Sequence, residues 1–212
     1  MQLSLNTKIA SNKTVQNWND AKVLLTDYNQ IDEWENAFNA YFIGRLNARY
    51  FEPIASIEKL VTKRGKGFSV MTIACSIIEF LETTYMGLSF NYAIKGIKGY
   101  QYGHGVSKKL FDIFLTTRLP FAKTFDKSLA EDFYSQVRCG LLHEARTNGN
   151  WVIRTSSTAK QCVEIRPSET ILYYNLFLLD LEKYIQLYKT ELLGSHDRKD
   201  AFIRKFDSLC NK

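Results

Sequence analysis

Apolar residues recur at helical spacing over most of this chain. From about Gln30, the residues Trp34, Phe38, Tyr41, Phe42 and Leu46 follow one another at intervals of three and four, which places them on one helical face. Pro53 predicts a kink or break, after which Ile54, Ile57, Leu60 and Val61 resume the same spacing. Phe68 to Tyr85 reads as a buried helix, apolar on most sides. Its exceptions are Glu79 and Glu82, which share a face; Glu82 is expected at the surface. Lys108 to Thr117 is a short helix followed by Pro120. Another helix runs from Ser128 to about Arg146, with Asp126 and Ser128 as N-caps and Glu131 completing a capping box. Ser168 is placed to cap a long apolar helix over Ile171 to Leu193, and Asp197 to Leu209 adds a last short one.

Alternation of period two is rarer. Trp151 to Arg154 and Cys162 to Ile165 alternate on either side of a polar run, after the turn signal Thr147-Asn148-Gly149-Asn150, and read as a β-hairpin. Residues 87–106 hold five glycines among Tyr92, Tyr100 and Tyr102 and read as a loop-rich insertion, with His104 a surface loop residue. Residues 1–29 alternate weakly and are expected to form an arm, loose or with a short strand. The predicted organisation is therefore that arm and one domain over 30–212, with a loop insertion at 87–106 and a hairpin at 151–166. The predicted fold class is mainly α, an antiparallel helical bundle with a small β-hairpin insertion.

Composition narrows the function classes. Hydrophobic residues at 45% with 12 Tyr and 14 Phe rule against a disordered chain, and only 3 Pro among 212 residues leave room for long helices. A net charge of +6 mildly favours polyanionic partners. The 4 cysteines, Cys75, Cys139, Cys162 and Cys210, show no CxxC spacing and no companion histidines. No zinc site or other metal site is expected, and reduced thiols fit a cytoplasmic protein. Met1 to Asn6 lack a signal-peptide pattern, and the longest apolar candidate, Val70 to Ile78, is too short to span a membrane. The basic loop Lys63-Arg64-Gly65-Lys66-Gly67 is expected to be a solvated connection, since no strand–loop–helix phosphate motif surrounds it. The Tyr and Phe stripe of 171–193 lacks interleaved basic residues and is expected to be core or dimer interface.

The richest stretch is Phe133-Tyr134-Ser135-Gln136-Val137-Arg138-Cys139-Gly140-Leu141-Leu142-His143-Glu144-Ala145. Phe133, Val137 and Leu141 form a core face, with Tyr134, Arg138 and Leu142 on the adjacent stripe. Arg138 and His143 are five residues apart, so roughly 140° separates them around an ideal helix. One helix does not aim both at one atom, but two copies across a two-fold axis would build a shared cleft. The residue types suit RNA cleavage. A histidine can take the 2′-hydroxyl proton or give one to the leaving 5′-oxygen, and an arginine stabilises the developing phosphorane charge. The bland alternatives are a salt bridge from Arg138 to Glu131 or Glu144, and a helix-C-terminal role for His143.

An Arg, four residues, then a His late in a helical domain resembles the Arg-x4–6-His motif of the HEPN superfamily (higher eukaryotes and prokaryotes nucleotide-binding). The string VRCGLLHEA followed by a hairpin is similar to members found on bacterial genomes and plasmids, over about residues 70–193. The resemblance implies a metal-independent endoribonuclease without cofactor, in toxin or antiviral defence biology, acting as a homodimer on RNA. It implies Arg138 and His143 at the interface, with Glu79 the polar residue of an earlier helix. Tyr134 and Glu144 are the candidate substrate contacts. An antitoxin or other protein partner is compatible with it; a membrane is not expected. One position departs from the family pattern. Cys139 stands where active members usually carry Asn, Asp or His, and a thiol does not replace an amide's donor and acceptor. The alternative is a non-catalytic HEPN dimer that binds RNA, a nucleotide or a partner protein.

Overall fold

The structure is a computed structural model and describes residues 3–61 and 64–211. Met1 and Gln2 of the N-terminal stretch and Lys63 of the basic loop lie outside the described residues. The chain divides into two units, each assembled from separated segments. Unit 1 comprises Met1–Pro53, Thr83–Val106 and Tyr188–Lys212; unit 2 comprises Ile54–Glu82 and Ser107–Leu187.

In unit 1, strands Lys8–Ala10 and Lys13–Thr14 form an antiparallel ribbon, and helix Val15–Leu24 follows. Thr14 caps that helix by accepting from the Asn17 N–H, while the Asn17 side chain accepts from the Thr14 N–H at 3.0 Å. These end groups would otherwise lack intrahelical partners. Trp18 is fully buried against Tyr41 and Phe206, at 5.0 and 5.3 Å between ring centres. Its indole N–H donates to Asp207 at 2.8 Å, which fixes this helix to helix His196–Leu209.

Helical backbone runs without interruption from 31 to 58, with π-helical turns at Phe38–Ile43 and Asn47–Phe51. The break expected at Pro53 is absent. Proline removes a donor and crowds the preceding turn, and the wider turn directly before it relieves that crowding.

The fold class is α+β, not an antiparallel helical bundle carrying one β-hairpin. Two three-stranded mixed sheets make the difference. In unit 1, residues 87–106 hold a sheet where a loop insertion is expected. Strand Gln101–His104 is central, parallel to Ser89–Lys95 and antiparallel to Ile97–Lys98. Gly103 permits it, because a Cβ there would stand 1.9 Å from the Ile94 carbonyl oxygen.

In unit 2, Trp151–Arg154 and Val163–Ile165 do not pair with each other. Both pair with Thr170–Tyr173, which lies between them, parallel to the first and antiparallel to the second. Every residue of Thr170–Tyr173 is buried, as a central strand requires. A short, continuous apolar run has no period to separate it from the start of the helix that follows, Tyr174–Gly194.

Helix Lys66–Met86 is long and apolar enough to cross a membrane by length and composition, and 56% of its apolar window is buried in the fold. Glu82 on this helix is not at the surface. It is fully buried and accepts two bonds from Arg118, from Nε at 2.9 Å and Nη2 at 2.7 Å. The surrounding unit 2 core includes Phe121, Phe133 and Phe177, the last two stacked at 5.6 Å. Breaking a buried pair from one side leaves an uncompensated charge, at a cost of about 3–5 kcal/mol. Glu82→Leu should accordingly lower unfolding stability by about that amount in urea titration. The double variant Glu82→Leu/Arg118→Met should recover much of the loss.

Candidate functional site

The site grows from one helical segment of unit 2, residues 127–144. Asp126 caps its start by accepting from the Leu129 N–H at 2.8 Å. Phe133–Arg138 is a π-helical turn, in which the Cys139 N–H reaches back five residues to the Tyr134 carbonyl. Such single wide turns are rare and are often found at functional sites. Phe133, Val137 and Leu141 are buried, as the core face requires. The helix ends at Ala145, which adopts the left-handed conformation with φ 54°. Gly140 is buried beneath the returning loop, where a Cβ would stand 2.5 Å from the Arg146 carbonyl oxygen. That close approach is made by the chain's own loop, and Asn148 N–H donates to the Gln136 carbonyl at 2.9 Å beside it.

Arg138 is half-buried. Its guanidinium lies 5.2 Å over the Tyr134 ring, within cation–π range, and Nη1 stands 4.0 Å from the Cys139 sulfur. Among the described residues Arg138 makes no ion pair. The two carboxylates available to it in sequence are taken elsewhere: Glu131 pairs with Lys108 at 3.6 Å and Glu144 with Arg146 at 2.8 Å. Glu79, on the earlier helix, is half-buried and accepts from the Ser107 hydroxyl at 2.8 Å. His143 is exposed on the last helical turn, where its position suits the helix dipole. Neither any family model, nor any curated protein, nor any solved structure matches this chain.

Tyr134 packs edge-on against Phe111 at 5.2 Å and, with Cys139, lines an open groove of about 790 Å³. Lys108, Ser128, Ser135 and Thr170 are also on its walls. The groove's acidic residues are engaged within the unit. Asp126 caps the helix, Asp132 accepts from the Trp151 indole at 2.6 Å, and Glu131 holds Lys108. Among the described residues, no three His, Cys, Asp or Glu side chains gather as a metal site.

Cys75 lies near Arg138. Burial pushes its thiol up to about 12, partly offset by the Arg138 charge. Cys139 differs from the other cysteines, since Cys75, Cys162 and Cys210 are all buried and it is only half-buried. The local feature missing from the sequence reading is the groove. Its walls come from segments far apart in the chain; Asp126 as N-cap and Tyr134 as a candidate contact were the parts legible locally, while Ser128, also a candidate cap, lies inside the helix.

Two predictions follow from this geometry. The aromatic disulfide DTNB should label about one thiol per native chain, at Cys139, against 4 in denaturant. Cys139→Ser should abolish the native reaction; labelling of a buried cysteine instead would contradict the placement. Gly140→Ala should destabilise the protein by about 1–3 kcal/mol in chemical denaturation, because the Arg146 loop must move.

Proposed function

We propose that this chain is a metal-independent endoribonuclease of the HEPN type, working as a homodimer in toxin or phage-defence biology. The observation that supports this most is Arg138. It is a half-buried cation, held over Tyr134 and left without a carboxylate partner, beside an open groove. An arginine in that condition is a ready anion site, and a phosphodiester offers planar, forked recognition to its donors.

Arg138 and His143 diverge around their helix, so the chemistry needs two copies. One His143 takes the proton from the 2′-hydroxyl as the 2′-oxygen attacks phosphorus. Its two-fold mate gives a proton to the departing 5′-oxygen, leaving a 2′,3′-cyclic phosphate and a free 5′-hydroxyl. Arg138 neutralises charge developing on the phosphorane oxygens. Tyr134 orients that guanidinium, and Glu144 with Arg146 supplies a polar rim for flanking nucleotides. Glu79 is the polar residue contributed by the earlier helix.

A second reading is a non-catalytic dimer that binds RNA, a nucleotide or a partner protein. Cys139 favours it, because a thiol 4.0 Å from Arg138 occupies the place where active HEPN members usually carry an amide, carboxylate or imidazole.

Labelled RNA incubated with the purified protein in excess chelator separates the two. Cleavage should persist in chelator and fall by at least about a hundredfold in His143→Ala and in Arg138→Ala. Binding without cleavage would select the second reading. A monomer in sedimentation at micromolar concentration would sink both dimeric readings.

A further inference from the structure

The segment 83–106 of unit 1 contains no aspartate or glutamate, while Lys95 and Lys98 give it positive charge. Its three-stranded sheet shows an unusual amount of aromatic surface. Tyr92 is 81% exposed, Tyr100 60% and Phe90 43%. Phe90 and Tyr92 are two apart on strand Ser89–Lys95 and so share a face. On that face they meet the neighbouring strand, Phe90 edge-on with Tyr102 at 5.1 Å and Tyr92 tilted against His104 at 6.2 Å. Tyr102 is buried beneath and supports the exposed pair.

The cations around this face are unengaged by acids. Lys95 pairs with His104 and projects on the ring face, while Lys98 pairs with Gln101 and projects on the opposite face; both are exposed, and neither side chain makes a hydrogen bond or ion pair among the described residues. Arg204, from helix His196–Leu209, lies 3.9 Å over the Tyr100 ring and makes no ion pair among the described residues. Glycines at 96 and 99, both with positive φ, carry the turns between the strands.

We propose that this sheet binds single-stranded nucleic acid, with bases stacking on Phe90 and Tyr92 and a phosphate meeting Lys95 on the same face. Exposed rings interleaved with unpaired cations are the combination that single strands need, because unpaired bases offer a free face and every phosphate a charge. A duplex buries its base faces and forfeits the stacking. An acidic or apolar protein surface would match only one of the two components.

The inference does not depend on the ribonuclease reading, and its test is built to keep the two apart. Fluorescence anisotropy is measured with oligothymidylate and with oligouridylate of about a dozen nucleotides. The deoxy strand lacks the 2′-hydroxyl and resists cleavage by any 2′-oxygen attack, so its binding is read without turnover; Arg138→Ala should leave that binding unchanged. Tyr92→Ala should weaken binding of the deoxy strand about tenfold, and Tyr92→Phe should retain it. Lys95→Ala should flatten the salt dependence by about one released counterion, and Lys98→Ala, on the opposite face, should leave it unchanged. Oligouridylate should show the same losses; a loss confined to it would assign these residues to RNA alone and overturn a base-stacking site common to both strands. Equal competition by a duplex, or unchanged affinity in Tyr92→Ala, would overturn the proposal. So would a change of oligomeric state in Tyr92→Ala without a change in affinity, which would mark the face as a protein interface.

Discussion

A carboxylate buried at the heart of unit 2 sets the terms for the elements around it. Glu82 is out of contact with water, and moving such an ion out of water costs several kcal/mol. The bidentate guanidinium of Arg118 offsets that cost only if it arrives in one geometry. One turn earlier on the same helix, Glu79 holds Ser107. Ser107 begins helix Ser107–Thr117 and Arg118 immediately follows its end. Two carboxylates on consecutive turns therefore tie down both ends of that helix. Its buried face, with Phe111 and Phe114, is held in place, and Phe111 in turn supports Tyr134 beneath Arg138. The electrostatics of the core and the posture of the candidate site are linked through a short run of contacts.

The same pair shows what a sequence reveals and what it hides. Met71, Cys75, Ile78 and Glu82 fall on one helical stripe, so a glutamate stood at a core position. A partner was needed to keep it there, and Arg118 lies 36 residues away, beyond any local pattern. Helix existence was legible wherever the apolar spacing was sustained, as at Phe68 to Tyr85. Strands were hidden for two different reasons. Thr170–Tyr173 is too uniformly apolar to show alternation, and 89–104 is too rich in glycine to look like strand at all. At the site, the core face of 133–141 was legible. The π-helical turn was not, nor were the partners that leave Arg138 unpaired, because each depends on which carboxylates reach which cations.

Arg138 carries more meaning through its surroundings than through its place in a motif. Glu131 and Glu144 were the obvious acids to neutralise it, and both hold other cations. What remains beside it is an aromatic ring below and a thiol alongside. Gly140 adds a further constraint. Its bare backbone is already covered by the Arg146 loop, so a second copy of the chain cannot use it for close approach. A two-fold arrangement about this helix would instead have to use exposed residues of its last turn, such as Leu142 and His143.

The interleaving of the two units has a consequence for synthesis. Unit 2 has all of its chain once residue 187 has been made, although its first residue is the fifty-fourth. Unit 1 begins at the N-terminus yet waits for Tyr188–Lys212, which supply Phe202, Phe206 and the Asp207 that anchors Trp18. During translation, Trp18, Tyr41 and their neighbours thus emerge early and lack Phe202, Phe206 and Asp207 until that segment has left the ribosome. The unit whose first residue is made second is thus the first to have its whole chain available.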